Sequence, residues 1–130
     1  MDFLSKYAPQ IQGLLRIMTA LLFLSHGTNK LFNFPMSGAA HPHVAWNLMT
    51  FPWGPAGIIE VVAGTLIVLG LFSRWAAFIA SGECAVAYFV AHAPQSFFPF
   101  QNEGDAAVLF SFIFLFIAAA GPGAWAFNQK

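Results

Sequence analysis

Residues 12–32 read QGLLRIMTALLFLSHGTNKLF, and this stretch decides the class of fold. It is long enough to cross a bilayer as a helix, which takes about 20 apolar residues. Three basic side chains interrupt it: Arg16, His26 and Lys30. Placing an Arg or Lys in hydrocarbon costs about 2.5–3.5 kcal/mol on insertion scales, so such residues are seldom idle. Gly13, Arg16, Ala20, Phe23, Gly27 and Lys30 recur at three- and four-residue spacing, which puts them on one helical face. His26 lies one turn before Lys30 on the same side.

Three further apolar runs follow, at 55–72, 74–93 and 103–121. The composition agrees: 58% of residues are hydrophobic and 8% are charged, where a soluble domain carries about 25%. The expected fold is therefore all-α, a single domain over 1–130 with four transmembrane helices in a bundle. A lysine ahead of an apolar run resembles a signal peptide, but no small-residue cleavage site follows, so 12–32 reads as a retained span. Only Phe72-Ser73-Arg74 separates the second and third spans, a tight hairpin with Ser73 as the expected N-cap. The fourth opens at Asn102-Glu103-Gly104-Asp105 and stops at Gly121-Pro122-Gly123.

Lys6, Arg16, Arg74 and Lys130 fall on one side of the membrane and Lys30 on the other. The positive-inside rule then places both termini in the cytoplasm, with loops 33–54 and 94–102 outside. Trp75 and Trp125 suit the inner interface; Trp46, Trp53, Phe97 and Phe98 suit the outer one. Loop 33–54 is long and too apolar to be solvated, so it is expected to lie on or re-enter the membrane surface. Its His41-Pro42-His43 lacks a third ligand for a metal. A net charge of zero gives no footing for nucleic acid. The one cysteine, Cys84, rules out an intrachain disulfide, a Cys-x-x-Cys pair and a cysteine-based zinc site, and reads as core.

Small residues also mark the inner faces of the next two helices, because they let membrane helices approach closely. Gly57, Glu60 and Gly64 align on one, and Ala76, Ala80, Glu83, Ala87 and Ala91 on the other. Phe110, Phe112, Phe114 and Phe116 are expected to face lipid. At 1.5 Å per residue His26 and Glu60 lie roughly 8–9 Å below the outer surface, with Glu83 near mid-membrane. Glu103 and Asp105 stand at the outer mouth and Arg16 is isolated near the inner side. The expected picture is a funnel of ionisable groups opening outward.

Each group has a structural alternative. Glu103 and Asp105 could bind a cation or pass protons, or, with Asn102, cap a helix. Glu60 with His26 or Lys30 could be a proton relay or an ion pair locking two helices. Glu83 has no partner evident from spacing, so a proton or a ligand must neutralise it. A haem between His26 and His92 is disfavoured. His92 stands roughly 7 Å above His26, and nine positions from Glu83 place it on the opposite face of a regular helix. Arg74 reads as a topology anchor.

The chain resembles the DoxX family of small four-helix bacterial membrane proteins. Arg16 followed by Phe23-Leu-Ser-His26-Gly-Thr-Asn-Lys30 carries the resemblance, with Gly57-Ile-Ile-Glu60-Val-Val-Ala-Gly64 and Gly70-Leu-Phe-Ser-Arg74. Ala91-His92 and Asn102-Glu103-Gly104-Asp105 complete the series, in order over nearly the whole chain. In the last motif Asn-Glu-Gly-Asp stands for the family's Asn-Gly-Gly-Glu, which shortens the acid and displaces it. The resemblance implies a multi-pass protein of the bacterial inner membrane, a quinone-facing subunit beside a redox partner or in a homo-oligomer. His26, Lys30 and Glu60 would then hold a quinone head group, with Glu83 and Asp105 passing protons and Arg16, His92, Asn102 and Glu103 in the surrounding polar cluster. No haem, flavin or iron–sulfur motif is visible, so electrons would come from a partner or a soluble reductant. The rival readings are a non-catalytic accessory or assembly subunit of a larger complex, and a small-solute transporter.

Overall fold

The computed structural model describes residues 1–38 and 50–130. His41, His43, Trp46 and half of the expected membrane-surface segment in loop 33–54, residues 39–49, lie outside the described residues. Among those residues the fold is all-helical. A short α1 (Asp2–Ser5) precedes α2 (Ala8–Phe32), α3 (Trp53–Leu69) and α4 (Ser73–Ala87). The last of these continues without a break into a π-helical turn, Tyr88–His92, and α5 (Asp105–Ala120) follows. The long helices pack in chain order, α2 on α3, α3 on α4 and α4 on α5, and α5 returns to touch α2.

Helix ends follow local chemistry. Pro9 sits in the first turn of α2, where its missing N–H costs nothing, and Asn33 ends that helix in the left-handed region at φ 53°. α3 stops at Leu69 because Gly70 turns left-handed at φ 71°, and Leu71 N–H then closes back on Leu66 O at 2.9 Å. Ser73 is not the N-cap of α4, contrary to expectation. Phe72 holds that place at φ 50°, with its N–H bonded to Asn128 Oδ1 at 3.1 Å, and Ser73 is buried inside the first turn. The fourth span is likewise capped differently. Gly104 is the N-cap of α5, its N–H bonded to Asn102 Oδ1 at 2.8 Å, while Asp105 adds only a first-turn charge.

The packing is small inside and large outside. Ala20, Ala63, Ala76, Ala77 and Ala80 form much of the core, and Gly13, Gly27, Gly57 and Gly64 are buried with them. Leu22, Val62, Phe78, Val86 and Phe112 are each more than half exposed. A water-soluble bundle arranges these sizes the other way, whereas helices in lipid associate through small residues and polar links. One such link is reciprocal: Ser81 Oγ donates to Ser111 O at 2.8 Å and Ser111 Oγ donates to Ser81 O at 3.1 Å, joining α4 to α5.

By length and composition Ser73–His92 alone, among the described residues, suffices to cross a membrane unaided. Trp53–Leu69 and Asp105–Ala120 are apolar but shorter, at 17 and 16 residues. Phe112 and Phe116 face outward as expected, but Phe110 and Phe114 do not. Phe114 is fully buried, with its ring 4.9 Å from that of Phe23, and Phe110 stacks on Phe114 at 5.9 Å. Side chains two apart point about 200° apart on an α-helix, so each phenylalanine of this run faces away from the next.

Residues 121–130 cross under the helix ends. Ala124 N–H bonds Pro9 O, Asn128 N–H bonds Gly70 O and Gln12 Nε2 donates to Gly121 O. Two arginines hold this segment from above. Arg16 is fully buried and its Nη2 donates to Ala124 O at 3.3 Å and Trp125 O at 3.0 Å. Arg74 reaches Ala118 O, Ala119 O and Gln129 O, so it closes the end of α5. Arg16 is therefore not isolated. Gly70 makes its position possible, since a Cβ there would collide with Arg16 Nη1.

Candidate functional site

At the other end of the bundle the polar residues converge on a cleft of about 680 Å³. α2 contributes His26 and Lys30, α3 contributes Glu60, α4 contributes Glu83 and Cys84, the π turn contributes His92, and the following loop contributes Glu103. Phe23, Phe110 and Trp53 supply aromatic wall. Lys30 and Glu60 form an ion pair between α2 and α3. The second oxygen of that carboxylate, Glu60 Oε2, is buried with no hydrogen-bond partner among the described residues. Buried acceptors are ordinarily satisfied, so an orphan oxygen beside a cleft is a place for a ligand or a water to donate.

The other groups differ in how firmly they are held. Glu83 is half-buried, and Cys84 Sγ points at its Oε2 from 3.6 Å. His26 stands edge-on to the Phe110 ring at 5.8 Å and is otherwise open to the cleft. His92 is anchored: its Nδ1 lies 2.9 Å from Asn102 O and its ring stacks on Tyr88. A carbonyl oxygen only accepts, so Nδ1 carries hydrogen and the lone pair of a neutral His92 sits on Nε2. Asn102 is buried behind it, donating to Tyr88 Oη at 3.2 Å and Ser96 O at 2.9 Å.

The structure thus gathers His26, Lys30, Glu60, Glu83, His92 and Glu103 around one space. Three of the expected site residues stand elsewhere. Asp105 is exposed in the first turn of α5 and does not line the cleft, Asn102 braces its wall, and Arg16 belongs to the opposite end. The expected separation of His92 from Glu83 is overturned. A π turn takes about one residue more than an α turn, which swings everything beyond it back by about 100°. His92 is thereby returned to the face that Glu83 occupies. Cys84, read as core, is buried and also touches the cleft. Its adjacency to Glu83 and its place two turns below Ala91 were the available signals.

Chemically the cleft offers donors at Lys30 and His26, carboxylates at Glu60 and Glu83, and aromatic faces between them. Among the described residues no group of three or more His, Cys, Asp or Glu is arranged to hold a metal. The sequence profile of the DoxX family matches residues 11–93. An uncharacterized protein of Haemophilus influenzae is 41% identical over 133 aligned residues, which cover 100% of this chain and 97% of the relative. No solved structure matches. The matched residues run from the first turns of α2 to just past His92, so they include every cleft residue except those of the last loop and helix. The chain belongs to the DoxX family of membrane proteins.

Proposed function

We propose that the chain is the membrane subunit of a quinone-linked oxidoreductase, with the cleft as its quinone head-group site. The observation that carries this reading is the convergence of Lys30–Glu60, His26 and Glu83 on an aromatic-walled space in a membrane protein. A quinone head group is a flat, neutral ring with two carbonyl acceptors, and it exchanges two electrons and two protons between its oxidised and reduced forms. The residues fit it. Lys30 and His26 donate to the carbonyls, and the unpaired Glu60 Oε2 accepts from a hydroxyl. Phe23, Phe110 and Trp53 exclude water and offer ring faces. Glu83 relays protons toward the mouth, where Glu103 lines the cleft and Asp105 stands exposed beside it. Electrons arrive from a partner subunit or a soluble reductant.

In this reading α2 to α5 span the bacterial inner membrane with both termini in the cytoplasm. Arg16 and Arg74 support that orientation, since both hold residues 118–129 at one end while Lys30 lies at the other. The test is mass spectrometry on protein extracted gently from its native membrane, reading small molecules and co-purifying chains together. Near-stoichiometric quinone with a redox subunit is expected, and Lys30→Met should empty the site. A large non-redox complex carrying no quinone would replace this reading with an accessory-subunit role, in which Lys30–Glu60 serves only to lock α2 to α3.

A further inference from the structure

A second cavity lies between α3 and α4, an apolar groove of about 290 Å³ with Gly82, Ile79 and Val86 along it. It differs from the polar cleft in kind, yet the two meet. Glu83, Trp53, Ala87 and Val90 line both. Among the described residues the groove opens on the outer face of the bundle, where Ile79, Val86 and Val90 are each more than half exposed. In a membrane protein that face looks at lipid. A path therefore runs from the hydrocarbon, through the groove, to the carboxylate of Glu83.

We infer that this groove is the lateral portal of the head-group site and takes the isoprenoid tail of a lipid-soluble quinone. The inference rests on the quinone reading above and names the class of substrate, a long-tailed quinone drawn from the bilayer rather than a water-soluble one. An amphiphile of that kind needs a polar end and an apolar sleeve joined at one point, and Glu83 is that point. Leaving lipid for the groove gives the tail little, because the bilayer is as apolar as the groove walls. The sleeve acts by shape instead: with the ring seated, the tail has somewhere to lie. Glycine at position 82 keeps the sleeve open. A Cβ there would meet no atom within 4 Å among the described residues, so a larger side chain has room that the tail would otherwise use.

The experiment is binding in nanodiscs of a dimethoxy-methyl-benzoquinone without a tail and of the same ring with a decyl tail. Both are measured on wild type, on Gly82→Phe and on Val86→Trp, two independent plugs of the groove. Replacing a helical glycine favours the helix, so Gly82→Phe should insert normally. The expected result is a loss of roughly tenfold or more for the decyl quinone in both variants, the size of a steric clash, with the tail-less ring unaffected. Equal binding of the decyl quinone to wild type and both variants overturns the portal and leaves the head-group site standing. Plugs that displace only a phospholipid chain overturn it in the same way. If wild type binds neither quinone, the portal and the quinone reading fall together.

Discussion

Gly27 on α2 lies directly against Glu60 on α3: a Cβ at Gly27 would stand 2.7 Å from the Cβ of Glu60 and 2.9 Å from Val61 N. This contact brings the two helices close enough for Lys30, one turn farther along α2, to meet the Glu60 carboxylate. Gly27→Ala should force the helices apart, since backbone cannot yield, and cost about 1–3 kcal/mol as overpacking does. Thermal unfolding in detergent checks it. Gly57→Ala is the contrast, because its Cβ would press on side chains and not on backbone, Leu31 at 3.0 Å and Lys30 Cβ at 3.4 Å. Equal losses in the two variants would mean that the close approach at Gly27 is not what sets the helix spacing.

The Lys30–Glu60 pair should behave asymmetrically. The Lys30 side chain is 20% exposed and that of Glu60 6%. Lys30→Met strands a buried carboxylate, for which about 3–5 kcal/mol is typical. Glu60→Gln should cost less, because the lysine stem can carry its ammonium toward the mouth. The double variant should recover much of the Lys30→Met loss. A double-mutant cycle on unfolding free energies reads this, and simple additivity would show that the two side chains are not coupled.

Glu83→Gln separates chemistry from assembly. The amide keeps the size of the side chain and removes its capacity to accept a proton. Insertion and quinone content should stay near wild type while quinone reduction in membranes falls by about a hundredfold or more, the scale of a lost acid–base group. Full turnover in a variant carrying both Glu83→Gln and Glu60→Gln would remove the carboxylates from the reaction.

Arg16→Met should loosen residues 121–130 without unfolding the bundle core. Hydrogen exchange ought to speed up at the amides of Ala124, Phe127 and Asn128, which bond Pro9 O, Leu69 O and Gly70 O. Unchanged protection there would show that the backbone bonds hold the segment by themselves.

Asn102→Ala removes three hydrogen bonds at once, to Tyr88 Oη, Ser96 O and the Gly104 N–H. Leaving such groups buried without partners costs about 1–3 kcal/mol each at most, so a net loss near 2 kcal/mol is expected. Chemical shifts of the His92 ring should move as well, because its brace at Asn102 O shifts. A silent His92 signal would separate the ring from the loop.

How far the residues announce this arrangement depends on the regularity of the backbone between them. Gly13, Arg16, Ala20, Phe23 and Gly27 are buried on one face as their spacing requires, and Gly57, Glu60 and Gly64 likewise, because α2 and α3 keep a constant turn. His92 escapes that rule because the π turn at Tyr88–His92 shifts the register, and nothing in Tyr-Phe-Val-Ala-His marks it. Phe110 and Phe114 leave the lipid face because a helix separates alternate residues, however alike they are. The partners of Arg16, at Ala124 and Trp125, are 108 and 109 positions away, beyond the reach of any local pattern. Spacing reveals faces; it does not reveal what arrives from the far end of a chain.

That last separation carries over to the order in which the molecule is made. On the transmembrane arrangement proposed above, Arg16 enters the membrane with the first long helix, while the carbonyls that receive its guanidinium are synthesised 108 and 109 residues later. At about 5–20 residues per second the interval is roughly 5–20 seconds. Throughout it a cation that is fully buried in the finished protein must rely on water, lipid phosphate or a chaperone. A chain broken off before residue 124 therefore keeps that cation without the two carbonyls that shelter it in the folded protein.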